Sequence, residues 1–367
     1  MRLLIIANST TVFGKELKNE LEDIGEHVTL LDFESLKLFR DNFIEDMKYF
    51  NIFFKYKKIP KISMFFRMLY IRKLIKENDF DIINIHVSRW FYLLILPTLM
   101  KKKFIITFYG SDFYRTSNFI KNIQKVIYTK ADRITFTNPI TKQSFLDYYQ
   151  EFYEKSYVCR FGLKTLDFID KNRYKDRGEI KNILGYSQDK IIITCGYNAT
   201  VAQQHEIIIK NLLKIDKKAL NKIQFIFPLT YGDNSNKKRI RTILKDTNLD
   251  YIILEDFLYT DENAYIKLAS DIMVNILKTD SFSGSMQEFL YAENIVITGS
   301  WLPYDIFDKE GIYYQKIDSE NELSIKLENI INNIDEYKEN LSINKNIIYK
   351  LSSWKNNINS WKDIYAN

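Results

Sequence analysis

The chain has 367 residues, which suggests two domains at ~100–200 residues each. Hydrophobic residues make up 46% and charged residues 27%, which excludes a disordered, collagen-like or disulfide-scaffold protein. The net charge is only +6, and a codon bias toward A and T would also enrich lysine, so the excess has to be located before it means anything.

In the first half, apolar runs at Arg2–Ala7, His27–Leu31, Asp81–His86, Phe104–Phe108, Arg133–Thr137 and Tyr157–Arg160 read as strands. Helical patterns lie between them, beginning with Phe13–Ile24, which Gly25 stops. Short apolar strands alternating with helices imply a parallel sheet covered on both faces. The pattern restarts with strands at Asp189–Cys195, Ile223–Phe227, Tyr251–Leu254, Ile272–Ile276 and Asn294–Thr298. Helices are expected at Glu206–Ile215 and around Lys237–Asp246, Asn263–Ser270 and Gln287–Ala292.

The fold class is therefore α/β, with two Rossmann-like doubly wound domains facing a cleft. The polar stretch Lys164–Arg177 reads as the linker. The expected domains are 1–165 and 166–345, with a helical tail, 346–367, packing back toward the first. In such folds ligands bind beyond the C-terminal ends of the strands.

Cys159 and Cys195 sit in apolar runs and read as buried thiols in a reducing compartment. The N-terminal apolar run ends after about five residues, too short for a secretory signal. The longest apolar stretch elsewhere, Trp90 to Met100, falls short of the ~20 residues of a membrane span. The expected location is the cytoplasm.

The most informative run is Asp280-Ser-Phe-Ser-Gly-Ser-Met-Gln-Glu288. Two acids flank a Gly/Ser turn that opens a helix. Free N–H groups and the helix dipole at such a turn suit a diphosphate. Ser283, Gly284, Ser285 and Met286 form the turn, and Glu288 can accept hydrogen bonds from a ribose diol. A helix that is merely capped explains the same residues.

This run resembles the acid-x7-acid signature of glycosyltransferase family 4 and related retaining enzymes of the GT-B fold. The resemblance implies that Glu288 binds the ribose and that Asp280, where the family usually has Glu, acts near the donor sugar. Further segments are similar in order: Asp79–His86, Phe104–Asp112 with Tyr109 in place of the usual His, Ala131–Asn138, Arg160–Leu163 and Gly196–His205. The last loop lacks the Arg and Lys that most members place there, and His205 is the one side chain in it that could become cationic. That loop and Phe225–Gly232 also resemble bacterial 4-acetamido-4,6-dideoxygalactose (Fuc4NAc) transferases.

The resemblance implies a nucleotide diphosphate sugar as donor and a hydroxyl of a lipid-linked glycan as acceptor, with retention and no metal or cofactor. Such an enzyme would serve bacterial surface polysaccharide synthesis. Donor contacts are expected from Gly196, Asn198, His205, Tyr231, Phe257, Ser283, Gly284, Ser285, Met286 and Glu288. On the acceptor side His86, Tyr109, Ser111 and Asp112 are expected, and Asp112 could accept the acceptor's proton. His86 could equally be a core residue, and Asp112 an N-cap or Asx-turn. The Asp79-Phe-Asp81 pair matches an Asp-x-Asp metal motif, but strand entry explains it. A GT-B protein that binds a nucleotide sugar without turnover is the alternative, and a two-domain epimerase is a third reading.

From Lys48 to Lys76 nine Lys/Arg residues are interleaved with aromatics, and there is no acid. This suits an anionic membrane surface better than nucleic acid, for which no motif is present. A helical pair with its aromatics turned inward explains the same stretch.

Overall fold

The computed structural model describes residues 1–8, 12–40, 43–45, 60–280 and 282–366. The chain divides into two units: Met1–Gly162 with Trp354–Asn367, and Leu163–Ser353.

The first unit holds β1 (Arg2–Ala7), β2 (His27–Asp32), β3 (Leu38–Arg40), β4 (Phe43–Glu45), β5 (Ile82–His86), β6 (Lys103–Phe108), β7 (Arg133–Phe136) and β8 (Ser156–Val158). Their order is β4-β3-β2-β1-β5-β6-β7-β8. From β2 to β8 in that order the strands run parallel. The edge strands β3 and β4 are antiparallel. Period-two alternation sends Leu4, Ile6, Ile83, Ile85 and Ile106 to one core. Leu3, Ile5, Ile82 and Ile105 face the other. The helix Trp354–Ala366 covers this second face with Trp354, Ile358, Trp361, Ile364 and Tyr365. Their three- and four-residue spacing makes one helical stripe.

The second unit holds β9 (Ile191–Cys195), β10 (Ile223–Pro228), β11 (Tyr251–Leu254), β12 (Ile272–Asn275), β13 (Ile295–Gly299) and β14 (Gln315–Ile317). The order is β11-β10-β9-β12-β13-β14, parallel throughout. Strand order reverses at β1/β5 in the first sheet and at β9/β12 in the second. Those are the switch points at which open α/β sheets bind ligands.

The stretch read as a linker is structured. Thr165–Asn172 is a helix of the second unit, because Leu166 and Ile169 point into its core. Asn172 ties it down by donating to Asp261 (2.5 Å). The helix Ser342–Ser352 also belongs to the second unit, and the segment that joins the first begins at Trp354. The edge strands β3, β4 and β14 lie outside the strands expected from sequence. Each is three residues long, too short for a periodic signal.

No helix among the described residues is long and apolar enough to cross a membrane. Cys159 and Cys195 are buried and unpaired by disulfide. Burial pushes the Cys159 thiol up to about 12 and raises that of Cys195 too.

Candidate functional site

In the first domain His86 ends β5, and its Nδ1 lies 2.9 Å from the Tyr109 hydroxyl beyond β6. Its ring is packed among Tyr109, Phe161 and Trp361. Burial pushes the imidazole down to about 3, so it is neutral at pH 7, and Nε2 has no partner among the described residues. The next residue, Val87, has φ 70°. A β-branched side chain there is strained, and strain of this kind collects at functional sites.

Asp112 serves its loop. Its carboxylate accepts from the N–H groups of Tyr109 (3.1 Å), Gly110 (2.9 Å) and Ser88 (3.2 Å). Burial raises its pKa to about 6 against the pull of these donors. Both oxygens hold the β5 and β6 loops together, so the group does not stand free as a base; its donors lie at positions 109, 110 and 88 rather than two or three residues further on, so its contacts are neither those of an N-cap nor those of an Asx-turn. Ser111 opens the short helix Ser111–Tyr114, and its side chain lies outside the described residues.

In the second domain Ser283 caps the helix Gly284–Tyr291, its hydroxyl accepting from Met286 N–H at 3.1 Å. Met286 is fully buried and its N–H is taken by that cap, so neither its side chain nor its N–H is open to a ligand. A Cβ on Gly284 would meet only the Leu163 side chain, at 3.1 Å. Ser285, one residue further on, is partly exposed. Asp280 accepts from the hydroxyl of Tyr304, which in turn accepts from Asn275 Nδ2 at 3.2 Å. Burial and the Asp280 charge raise the Tyr304 pKa, so the phenol stays protonated and donates.

Glu288 lies in the same helix and is mostly buried. The ammonium of Lys267, from the helix Thr260–Ala269, sits 3.1 Å from its Oε2.

Gly196, just after β9, has φ +67°. A Cβ there would stand 2.7 Å from Gln203 Oε1 and 3.0 Å from His205 Nε2, so glycine is required. Burial pushes His205 down to about 4. It is neutral at pH 7 and does not supply the cation that its place in the loop suggested. The Cys195 carbonyl faces the ring, but neither ring nitrogen makes a well-formed hydrogen bond. Gln203 Nε2 and Asn275 Oδ1 are likewise buried without partners among the described residues. Unmatched polar groups beside the Gly196 turn and at the end of β12 call for explanation, and a ligand is one.

Asn198 braces its own loop through Thr200 N–H (2.8 Å) and reaches Tyr231 Oη (3.3 Å). Tyr231 and Phe257 are exposed and pack with Tyr259 beyond β10 and β11.

Gln203, Lys267, Asn275 and Tyr304 were not singled out in the sequence. Gln203 lies inside the loop that was. The others reach the site from separate elements, and nothing in their local sequence marks them. Among the described residues no group of three or more His, Cys, Asp or Glu could hold a metal ion. A depression of about 630 Å³ lined by Asp81, Lys101, Lys102, Lys103, Lys130 and Asp132 lies at the opposite ends of β5–β7 from His86.

Two parallel-sheet domains with these switch points define the fold of the GT-B glycosyltransferases. Residues 2–138 match the family described as glycosyl transferase 4-like. No curated protein matches the chain. Among solved structures it is similar to a glycosyltransferase from Rickettsia africae ESF-5, with TM-score 0.74 and 15% identity over 100% of this chain and 99% of that one. Sucrose-phosphate synthase from Thermosynechococcus elongatus gives 0.73 and 12%, over 100% and 98%. Anabaena Alr3699/HepE, solved in complex with UDP and glucose, gives 0.70 and 10%, over 100% and 99%. At such identities these likenesses establish the fold.

Proposed function

We propose that this protein is a glycosyltransferase that moves a sugar from a nucleoside diphosphate sugar to a hydroxyl of a glycan. One observation carries the reading. At the β9/β12 switch point lie Glu288 on the capped helix, Asp280 on its entry loop, and, beside the Gly196 turn and at the end of β12, the His205 ring nitrogens, Gln203 Nε2 and Asn275 Oδ1, buried and without a hydrogen-bond partner among the described residues. On this reading the diphosphate takes neutral donors and the N-terminus of the helix, since His205 is uncharged and the loop has no Lys or Arg. Glu288 accepts from the ribose, and the exposed Tyr231, Phe257 and Tyr259 offer faces for the base.

In the transfer step the bond from the anomeric carbon to the diphosphate oxygen breaks and a bond to the acceptor oxygen forms. The departing diphosphate takes the acceptor's proton, so the engaged carboxylate of Asp112 is not needed. Catalysis then lies in positioning and in stabilising charge on the leaving phosphate. We read the reaction as retaining.

A lipid-linked acceptor in surface polysaccharide synthesis, met by a cytoplasmic enzyme docked on the membrane, fits the helix Pro60–Glu77. Ile62, Phe65 and Leu69 share one exposed face of it, and Trp90 and Leu94 are exposed nearby in sequence. Residues 48–59 of the basic stretch lie outside the described residues. Arg67 is buried and donates to the Glu34 carbonyl (2.7 Å), so it adds no surface charge.

Melting curves with UDP, GDP, dTDP and CMP test the nucleotide, because a ligand that binds the folded state raises the melting point. Transfer assays with the stabilising nucleotide's sugars follow. Glu288→Ala and Asp280→Asn should each lower transfer at least 100-fold, and unchanged rates in both would sink the site. Binding by wild type without hydrolysis or transfer would favour the second reading, a nucleotide-sugar-binding protein. The charge-free loop is what supports that reading.

A further inference from the structure

We propose that Lys267 is the positioning residue for Glu288, fixing one carboxylate oxygen so that the other faces the nucleotide's ribose; this rests on the nucleotide-sugar reading above. The lysine comes from a different helix and lies 21 positions earlier in the chain. Its side chain is 5% exposed and that of Glu288 12%. Its ammonium bonds Asn263 Oδ1 as well as Glu288 Oε2. Asn263 is itself held through Thr165 Oγ1 at 3.1 Å. The Phe289 ring lies 5.4 Å from the charge.

A lysine is almost never this buried unless paired, and the buried pair gains little stability over apolar residues of the same size. Packing alone would be served by leucine or methionine. What the pair does supply is a carboxylate with a fixed orientation. Lys267 meets Oε2 alone, the side chain keeps its narrow opening to solvent, and no other ion pair or hydrogen bond to the carboxylate occurs among the described residues. Tyr231 also lies within electrostatic reach of Glu288. Its ring is half exposed, but desolvation of the hydroxyl raises the phenol and keeps it neutral, so Lys267 is the counter-charge among the described residues.

The test measures the affinity of the full chain for UDP, GDP, dTDP and CMP from pH 6 to pH 8.5, each variant read as a ratio to wild type at the same pH. A carboxylate that loses its cation in a buried site takes up a proton more readily. Lys267→Met should therefore bind at least tenfold more weakly at pH 6 and recover toward wild type by pH 8.5. Lys267→Arg should stay close to wild type across the range. Glu288→Ala should be weak at every pH. The double variant Lys267→Met/Glu288→Gln removes both charges, so it should melt higher than Lys267→Met while remaining unable to bind.

A ratio of one for Lys267→Met at every pH, with Glu288→Ala impaired, overturns the positioning role and leaves the nucleotide site standing, whereas a loss that persists at pH 8.5 supports it through orientation alone. If Lys267→Met does not fold and the double variant is no better, the pairing argument fails. Wild-type affinity in Glu288→Ala, or no binding of any of the four nucleotides by wild type, removes the site reading and this inference with it.

Discussion

Three buried groups bound to protons in unusual ways set how stability responds to acid. His86 is pushed from 6.5 to about 3 and His205 from 6.5 to about 4, while Asp112 is raised from 3.8 to about 6. Between pH 4 and 6 the unfolded chain binds two protons on the histidines that the folded protein refuses. Over the same range the folded protein holds one on Asp112 that the unfolded chain releases. The net is one proton in favour of the unfolded state, so these groups make stability fall with acidification by ~1.4 kcal/mol per pH unit. Their histidine contribution is complete above pH 6.5 and is lost as pH drops through the window. Urea unfolding at pH 7, 6 and 5 reads this directly. In His86→Gln the fall should be shallower, and an unchanged slope would mean that the ring is charged in the folded state. Gly196 is the other sensitive position. Alanine there combines a left-handed backbone, costing roughly 1–2 kcal/mol, with a contact at 2.7 Å on Gln203. Gly196→Ala should lower the melting point and abolish nucleotide-induced stabilisation, whereas Gly185→Ala, with open space around it, should leave that stabilisation intact.

Among elements, the long apolar strands were legible because burial on both faces of a parallel sheet writes a continuous hydrophobic run. β1, β5, β6, β9 and β10 fall within a residue or two of their expected bounds. The helix Thr165–Asn172 was hidden by its polar exterior; Leu166 and Ile169 are its only fully buried apolar residues, and two such residues make no visible period. In the candidate site, the run from Asp280 to Glu288 could be found because its parts are contiguous. Lys267 and Tyr304 could not, since each meets its acid only through the tertiary fold. The C-terminal helix shows how much one element can carry. Trp361 is fully buried, donates to the Arg160 carbonyl at 2.8 Å and stacks on Phe161. Trp361→Ala should cost ~3–5 kcal/mol, measurable as a drop in denaturation midpoint. For the helix Pro60–Glu77, Phe65→Ser with Leu69→Ser should weaken binding to phosphatidylglycerol vesicles at least tenfold. Equal binding by this variant would mean that the exposed face is not the docking face.

At the scale of the molecule, the second unit is an insertion in the first. The chain leaves one unit at Gly162 and returns at Trp354. The two ends of the second unit lie side by side, since Leu163 N–H donates to the Ser352 carbonyl at 2.8 Å. Next to them Gly162 lies so close against Trp354 that a Cβ would overlap its indole. The order of synthesis is therefore not the order of completion. Residues 163–353 emerge as an uninterrupted unit with its own core and can fold as soon as they clear the ribosome. The sheet made first must wait, with the face of Leu3, Ile5, Ile82 and Ile105 covered only in part by Leu17 and Leu21, until residues 354–366, translated after the whole second unit, complete that cover.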